Sequence, residues 1–200
     1  MIAIVEYGMG NANSVKKAFD FLGIKSIITS NQAEISTADK LLIPGVGAFG
    51  DAVDALHELS LFETILETVE VKQKPILGIC LGMQLLTKGS EESKEKDGFS
   101  FLDTTCKKFT THLKIPHVGW NDIQIDSSKD TLFKNIPNGS DFYFVHSFHL
   151  DAGLDHSSSH VEYAYNFTSS IEKENIFGVQ FHPEKSQKYG LELLKNFGNL

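Results

Sequence analysis

The sequence predicts an open, mainly parallel α/β sheet flanked by helices, with additional antiparallel strands in the C-terminal half. Two observations predict this fold class. As far as Gly89, short apolar runs alternate with amphipathic stretches, which is typical of parallel strands joined by crossover helices. From Thr105 onward, shorter alternating runs are separated by turn residues, and this spacing favours antiparallel pairing.

Four strands are predicted in the first half of the chain. Each contains a short apolar run, and the uninterrupted run at residues 2–5 indicates a buried strand. These runs span residues 2–5, 25–29, 40–43 and 75–79.

Helices are predicted where apolar residues recur at helical spacing. Gly23 ends the first helix, because glycine often follows the last helical residue. In the last helix, Leu191, Leu194 and Phe197 share one face and are expected to cover the sheet. The predicted helices span residues 14–22, 51–69 as one helix or two, 81–87 and 187–197.

The connecting segments are polar. Residues 91–97 carry many charges and are expected to form a solvated loop or a helix end, while turns are expected at residues 127–130 and 137–140. The sequence does not indicate a functional role for residues 90–109. The sequence contains no internal repeat and no clear boundary, so residues 1–200 are expected to form a single domain.

Composition excludes several classes of function. The net charge of −8 and the absence of arginine argue against nucleic-acid binding. Only two cysteines occur, which fits a reducing cytoplasm better than a disulfide-built secreted domain. No apolar run approaches the roughly 20 residues that a membrane-spanning helix needs. We therefore expect a cytoplasmic protein with no nucleic-acid or membrane partner.

The first motif is a cysteine at a point where a strand is expected to turn sharply into a helix. Cys80 has Gly78 and Gly82 two residues away on either side. A nucleophile on such a turn needs neighbours without side chains, and the first N–H groups of the helix favour the thiolate. Cys80 is therefore predicted to be a nucleophile, although an isolated cysteine is more often a small buried hydrophobe.

The second motif lies near the C-terminus. His182 ends an apolar run, and Glu184 follows two residues later. If the chain stays extended through Pro183, the carboxylate of Glu184 can accept a hydrogen bond from the ring of His182 and fix its tautomer. The other ring nitrogen can then take the proton of Cys80. Taken alone, His182 would be an ordinary strand-end residue.

The third motif is a glycine-rich loop after the strand predicted at residues 40–43. Its sequence, Pro-Gly-Val-Gly-Ala-Phe-Gly, allows the backbone to approach a ligand closely. Backbone N–H groups of Val46 or Gly47, together with that of Leu81 after the nucleophile, are predicted to form an oxyanion hole. Without the other motifs, a plain strand-to-helix turn explains these glycines equally well.

Two further patterns give no site. Gly8 and Gly10 follow the first strand, but the third glycine of a dinucleotide-binding motif is missing. The eight histidines do not join a cysteine or carboxylate cluster at ligand spacing. We therefore expect no cofactor and no metal.

In this order, the three motifs resemble those of the class I glutamine amidotransferases, which release ammonia from glutamine with a Cys-His-Glu triad. From end to end, the chain also resembles the glutaminase subunits of imidazole glycerol phosphate synthases. The Pro-His-Val-Gly-Trp-Asn and Val-His-Ser runs are the more specific parts of this likeness. The resemblance rests on residues 6–11, 44–49, 78–82, 116–121, 143–147 and 181–186.

The resemblance implies an activity, a partner and further site residues. The activity is hydrolysis of L-glutamine to L-glutamate and ammonia. The partner is a (β/α)8-barrel cyclase that uses the ammonia in histidine biosynthesis, giving imidazole glycerol phosphate and the aminoimidazole carboxamide ribotide. The residues implied in substrate binding are Gly45, Gln84, Val145, Ser147 and Phe148, and those implied in partner contact are Asn11, Ser14 and Trp120.

Other functions remain open from the sequence. A paralogous glutaminase could supply a cyclase-like partner that amidates a surface sugar, because residues 97–103 and Phe148 depart from the family pattern. A catalytically silent regulatory module would be expected to lose a triad residue, and all three are present. A cysteine peptidase or redox-active thiol protein could share the cysteine turn, but the glycine loop and the Val-His-Ser run favour a glutamine pocket.

Overall fold

The computed structural model describes residues 1–126, 128 and 131–200. Its strands are β1 (Ile2–Val5), β2 (Ser26–Thr29), β3 (Lys40–Gly45), β4 (Ile76–Cys80), β5 (Thr87–Ser90), β6 (Leu102–Lys108), β7 (His117–Asp122), β8 (Gln124–Ile125), β9 (Asp141–His146), β10 (Phe148–Asp151), β11 (Ser157–Tyr163), β12 (Tyr165–Lys173) and β13 (Ile176–Val179). Its α-helices are α1 (Ala12–Phe21), α2 (Gln32–Thr37), α3 (Phe49–Glu58), α4 (Phe62–Leu66), α5 (Leu81–Leu85) and α6 (Gln187–Gly198). A π-helical segment at Glu67–Val71 continues α4, and a 3₁₀ turn at Pro183–Lys185 precedes α6.

The main sheet is parallel on one side and largely antiparallel on the other. Strands β2, β1, β3, β4 and β13 are adjacent in this order and parallel. Beyond β13 follow β12, β10 and β6 in antiparallel pairing, while β5 is parallel to β6. Strands β7 and β9 form a separate antiparallel pair. The fold class predicted from the sequence is therefore confirmed.

Two hydrophobic clusters cover the two faces of the parallel strands. Successive strand residues point to opposite faces, so Ala3 and Val5 join one cluster while Ile2 and Ile4 join the other. The first cluster includes residues of α3 and α4, and the second includes residues of α1 and α6. Burial on both sides explains why these strands are apolar throughout.

The C-terminal helix α6 contributes to the second cluster. Leu194 and Phe197 are fully buried, and Leu191 packs against the cluster while partly exposed. The face that the sequence predicts for this helix is therefore confirmed.

Helix α2 was not predicted from the sequence, and α5 is shorter than predicted. Helix α2 buries only Ile35, so it lacks a repeating apolar pattern, although Asn31 caps it by accepting from the Ala33 and Glu34 N–H groups. Helix α5 ends at Leu85 instead of reaching residue 87, because Thr87 begins β5. The chain thus passes from α5 into β5 within two residues.

Two of the predicted turns have different outcomes. At residues 137–140 the Ser140 N–H donates to the Pro137 carbonyl at 3.3 Å, which confirms the turn there. Of the turn predicted at 127–130, only Ser128 lies among the described residues. Within the described ranges, no helix is both long and apolar enough to cross a membrane.

The three sequence motifs meet at the carboxyl edge of the parallel strands. Gly45 at the end of β3 lies beside Cys80 at the end of β4. On the other side of β4, Val179 lies beside Ile79, so the chain that continues to His182 leaves the sheet at the same edge. This edge is where ligands bind in open α/β sheets.

Candidate active site

The turn between β4 and α5 holds Cys80 in a strained conformation. Cys80 has φ +54° and ψ −108°, a region that residues with a side chain rarely adopt. Such a conformation costs about 1–3 kcal/mol and persists only when the surroundings enforce it. It places the thiol beside the first turn of α5, as expected of a nucleophile on a strand-to-helix turn.

Glycine is required on both sides of this cysteine by close backbone packing. A Cβ added at Gly82 would lie 1.9 Å from the Ile43 carbonyl oxygen. A Cβ at Gly78 would lie 2.5 Å from backbone atoms of Gly82. The spacing that identified the motif therefore has a steric cause, since α5 crosses directly over β3 and β4.

His182 and Glu184 form a buried pair. The ring nitrogen Nδ1 of His182 lies 2.8 Å from Glu184 Oε1, and both side chains are 2% exposed. The premise of an extended chain is wrong, because a 3₁₀ turn starts at Pro183. The contact forms all the same, because that turn brings the carboxylate back beside the ring.

Backbone and hydroxyl contacts fix the position of His182. Its N–H donates to the Tyr143 carbonyl on β9 at 2.9 Å, and its carbonyl accepts from the Ser186 hydroxyl at 2.6 Å. Ser186 also accepts from the Tyr143 N–H at 3.0 Å. The antiparallel pair β7–β9 thus supports the histidine that follows β13.

The environment of His182 favours the protonated imidazole. Burial alone would lower its pKa, but interactions with Cys80 and Glu184 outweigh burial and raise the pKa of His182 to about 9. Among the described residues, His182 Nε2 and Glu184 Oε2 have no hydrogen-bond partner. Nε2 thus makes no hydrogen bond to the sulfur in this structure, although the interaction with Cys80 raises the pKa of the imidazole.

The sulfur contacts two polar groups instead. Cys80 Sγ lies 3.7 Å from the Val145 carbonyl oxygen, to which the thiol can donate. The side-chain amide of Gln180 donates to the same sulfur at 3.6 Å. Gln180 has no role predicted from the sequence, in which the only signal is a polar residue at the end of an otherwise apolar strand.

A cavity of about 270 Å³ opens in front of the sulfur. Its volume suits a molecule the size of an amino acid. The predicted nucleophile, the predicted oxyanion-hole residues and four of the five residues implied in substrate binding all line it. The lining residues are Val46, Gly47, Cys80, Leu81, Gln84, Glu92, Pro116, Val145, His146, Ser147 and Phe148.

Gly45, the fifth implied substrate residue, lies behind the cavity wall. A Cβ there would come within 2.7 Å of the Leu81 Cβ and 2.9 Å of the Tyr7 hydroxyl. Tyr7 is buried and donates to the Pro44 carbonyl at 2.8 Å, and burial raises the pKa of this phenol far above its usual value. Gly45 thus allows the loop, α5 and the segment after β1 to pack together.

Glu92 lines the cavity although the sequence placed it in a solvated segment. Its carboxylate accepts from the Phe49 N–H at 2.8 Å, at the start of α3. A carboxylate at this position can bind a ligand's ammonium group. No sequence signal separates Glu92 from the other charged residues around it, because only the folded loop selects it.

The three residues implied in partner contact lie outside the cavity. Asn11 is exposed and caps α1 by accepting from the Ser14 N–H at 3.1 Å. Trp120 on β7 is 48% exposed and packs edge-on against Tyr143, with ring centroids 6.0 Å apart. Their role in partner contact stays a prediction.

Comparison with known proteins identifies what the chain resembles. The family described as "Glutamine amidotransferase class-I" matches residues 3–199. "Imidazole glycerol phosphate synthase subunit HisH 1" of Campylobacter jejuni is 46% identical over 100% of both chains. "Imidazole glycerol phosphate synthase subunit HisH" of Moorella thermoacetica is 46% identical over 100% of this chain and 94% of its own.

Solved structures show the same architecture at much lower identity. One described as a "glutamine amidotransferase" superposes with a TM-score of 0.77 at 15% identity, over 99% of this chain and 100% of its own. The structure of PurLQS from Thermotoga maritima gives a TM-score of 0.73 at 18% identity, over 99% of this chain and 97% of the matched chain. At these identities the likeness concerns the fold alone.

Proposed function

We propose that this chain, which belongs to the class I glutamine amidotransferase family, is the glutaminase subunit of an imidazole glycerol phosphate synthase. It hydrolyses L-glutamine and supplies the ammonia for imidazole glycerol phosphate synthesis in histidine biosynthesis. The support is identity of 46% to two subunits with that name, over 100% and 94% of their lengths. The observation that carries the chemistry is the amino-acid-sized cavity with Cys80 in its wall.

The first half of the reaction forms a thioester. The Cys80 thiolate attacks the side-chain amide carbon of glutamine, and the carbonyl oxygen becomes an oxyanion. N–H groups of the Val46–Gly47 loop and of Leu81 bind this oxyanion, because both line the cavity beside the sulfur. His182 gives its proton to the amide nitrogen, the C–N bond breaks, and ammonia leaves.

The second half regenerates the cysteine. His182, now neutral, takes a proton from a water molecule as that water attacks the thioester carbon. The C–S bond breaks, and glutamate and the Cys80 thiolate result. Glu184 keeps the imidazole in one tautomer and stabilises its cationic form through the 2.8 Å contact.

The cavity wall supplies groups for the rest of the substrate. Gln84, Val145, Ser147 and Phe148 line it, and Glu92 offers a carboxylate to the substrate's α-ammonium group. This set needs no cofactor. We propose that residues 1–200 act as one domain in the cytoplasm, beside a (β/α)8-barrel cyclase bound near Asn11, Ser14 and Trp120.

Two assays test this function. Purified chain should release glutamate from glutamine slowly, and the cyclase with its ligand should accelerate the release. Diazo-oxo-norleucine, a glutamine-analogue electrophile, should add once, on Cys80. A protein that neither forms this adduct nor responds to the cyclase would contradict the proposal.

A partner pull-down from native cells distinguishes the pathway. We expect recovery of the histidine-pathway cyclase. Recovery of a paralogous cyclase that acts on a surface sugar would keep the glutaminase chemistry and overturn the assignment to histidine biosynthesis.

A further inference from the structure

A chain of hydrogen bonds joins the sulfur of Cys80 to the cavity wall. The amide of Gln180 donates through Nε2 to Cys80 Sγ at 3.6 Å. Gln180 Oε1 accepts from Gln84 Nε2 at 3.2 Å, and that same Nε2 donates to the Phe148 carbonyl oxygen at 3.2 Å. Gln180 is fully buried, and no step of the proposed glutaminase reaction uses it.

The Phe148 carbonyl fixes the orientation of both amides. A carbonyl oxygen can only accept, so Gln84 must present its NH₂ group there. The same NH₂ group faces Gln180, which must therefore present its oxygen, and the NH₂ group of Gln180 is left facing the sulfur. Turning either amide over would set two donors or two acceptors against each other.

A buried histidine pair holds that carbonyl from the other side. His146 Nδ1 lies 2.8 Å from the Phe148 oxygen, and His146 Nε2 lies 3.1 Å from His117 Nδ1. Burial lowers the pKa of His117 to about 4 and that of His146 to about 3, so both rings are neutral at pH 7. His146 therefore donates to the carbonyl and accepts from His117, which makes the carbonyl a fixed anchor.

We propose that Gln180 is a catalytic residue that stabilises the Cys80 thiolate through its side-chain N–H. The proposal deepens the proposed function and rests on Cys80 being the nucleophile. Gln180 acts against the Val145 carbonyl, which lies 3.7 Å from the sulfur and favours the protonated thiol. The two contacts have opposite effects, so removing the amide takes away one of the groups that favour the thiolate, while the His182 imidazole that interacts with Cys80 remains.

Substitution of the amide gives the first test. Gln180→Met keeps the length of the side chain and removes the donor. A hydrogen bond to a charged group makes a difference of about tenfold, so the midpoint of Cys80 alkylation should rise by about one pH unit. At any pH below that midpoint, iodoacetamide should react with Cys80 about tenfold more slowly than in the wild type, and kcat should fall more than KM changes.

The control variant is Thr168→Val. Thr168 is buried on the neighbouring strand β12, and its hydroxyl donates to the Asp151 carbonyl, away from the sulfur. Its alkylation profile should match that of the wild type. Cys106 does not interfere, because burial raises the pKa of its thiol to about 12. A folded Gln180→Met protein with the wild-type profile would overturn the proposal.

A measurement on the wild-type protein covers the case in which Gln180→Met does not fold. The side-chain ¹⁵N resonance of Gln180 should shift as Cys80 titrates, and the shift should vanish in Cys80→Ala. A resonance that stays constant through the titration would overturn the proposal. Neither alkylation nor the resonance requires glutamine, so failure of the glutaminase assay alone would count against the proposed function and not against Gln180.

Discussion

The parallel and antiparallel halves of the sheet hold their parts of the site by different means. In the parallel half, backbone shape positions the nucleophile: Cys80 has a positive φ, and Gly78 and Gly82 allow the close crossing of α5. Beyond the parallel strands, hydrogen bonds do this work: Tyr143 on the separate antiparallel pair β7–β9 and Ser186 in the turn after β13 hold His182.

The two halves should therefore fail differently. A substitution in the parallel half that adds atoms meets backbone that cannot move, and the whole fold loses stability. A substitution of a polar group in the other half removes a charge or a donor while the surrounding hydrophobic cluster keeps its shape. Activity and stability measured together separate these two kinds of failure.

The largest effect is expected at the nucleophile. Cys80→Ala should lower glutamine turnover by more than about a thousandfold, because loss of a covalent nucleophile removes the main reaction route. Stability should change little, since the side chain shrinks by one atom. Cys106→Ala is the matched control and should keep its turnover; equal losses in both variants would refute the role of Cys80.

The next largest effect is expected at the carboxylate beside the imidazole. Glu184→Gln should lower turnover by about one to two orders of magnitude, because the amide neither fixes the tautomer nor stabilises the cation. Circular dichroism should show an intact fold. Glu192→Gln, on the outer part of α6 and paired with Lys195, is the control. Turnover that is unchanged in Glu184→Gln would exclude an orienting role.

A substitution in the parallel half of the sheet, where backbone packing is tight, should affect stability. Gly82→Ala should lower the free energy of unfolding by about 2 kcal/mol, because the added Cβ would lie 1.9 Å from the Ile43 carbonyl. Urea unfolding measures the change. In Gly89→Ala the nearest atom would be 3.3 Å away, so the loss should be smaller. Equal losses would mean that close backbone crossing does not determine the turn.

The smallest effect concerns pH. Because the pKa of His182 is raised to about 9, the imidazolium persists at neutral pH and can protonate the departing ammonia. Turnover should fall above pH 9, by about tenfold per pH unit, as this proton is lost. In Glu184→Gln the fall in turnover should begin at lower pH, since the Glu184 carboxylate raises the pKa of His182. If turnover fell at the same pH in both proteins, Glu184 would not be raising the pKa of His182.

The predictability of each half follows from the same difference. Strands that are buried on both faces have continuous apolar sequences, so β1, β3 and β4 could be located from the sequence. Cys80 was found because its glycines are a local steric requirement. Local patterns also indicated the His182–Glu184 contact, although its stated premise of an extended chain was wrong.

The remaining parts of the site depend on contacts between distant segments. Glu92 is one carboxylate in a charged run and reaches the cavity only because the loop folds back toward α3. Gln180 gains its orientation from Gln84 and from the Phe148 carbonyl, which lie far away along the chain. A short-range pattern carries no information about such pairings.

One strand, β13, joins the two halves of the sheet. It runs parallel to β4 on one side and antiparallel to β12 on the other. The register of β13 against β4, in which Val179 lies beside Ile79, therefore sets the distance between the Cys80 sulfur and the His182 imidazole. A slip of one residue would turn every side chain to the opposite face. Much of the remaining sequence can differ without changing the fold, since a structure at 15% identity still superposes with a TM-score of 0.77.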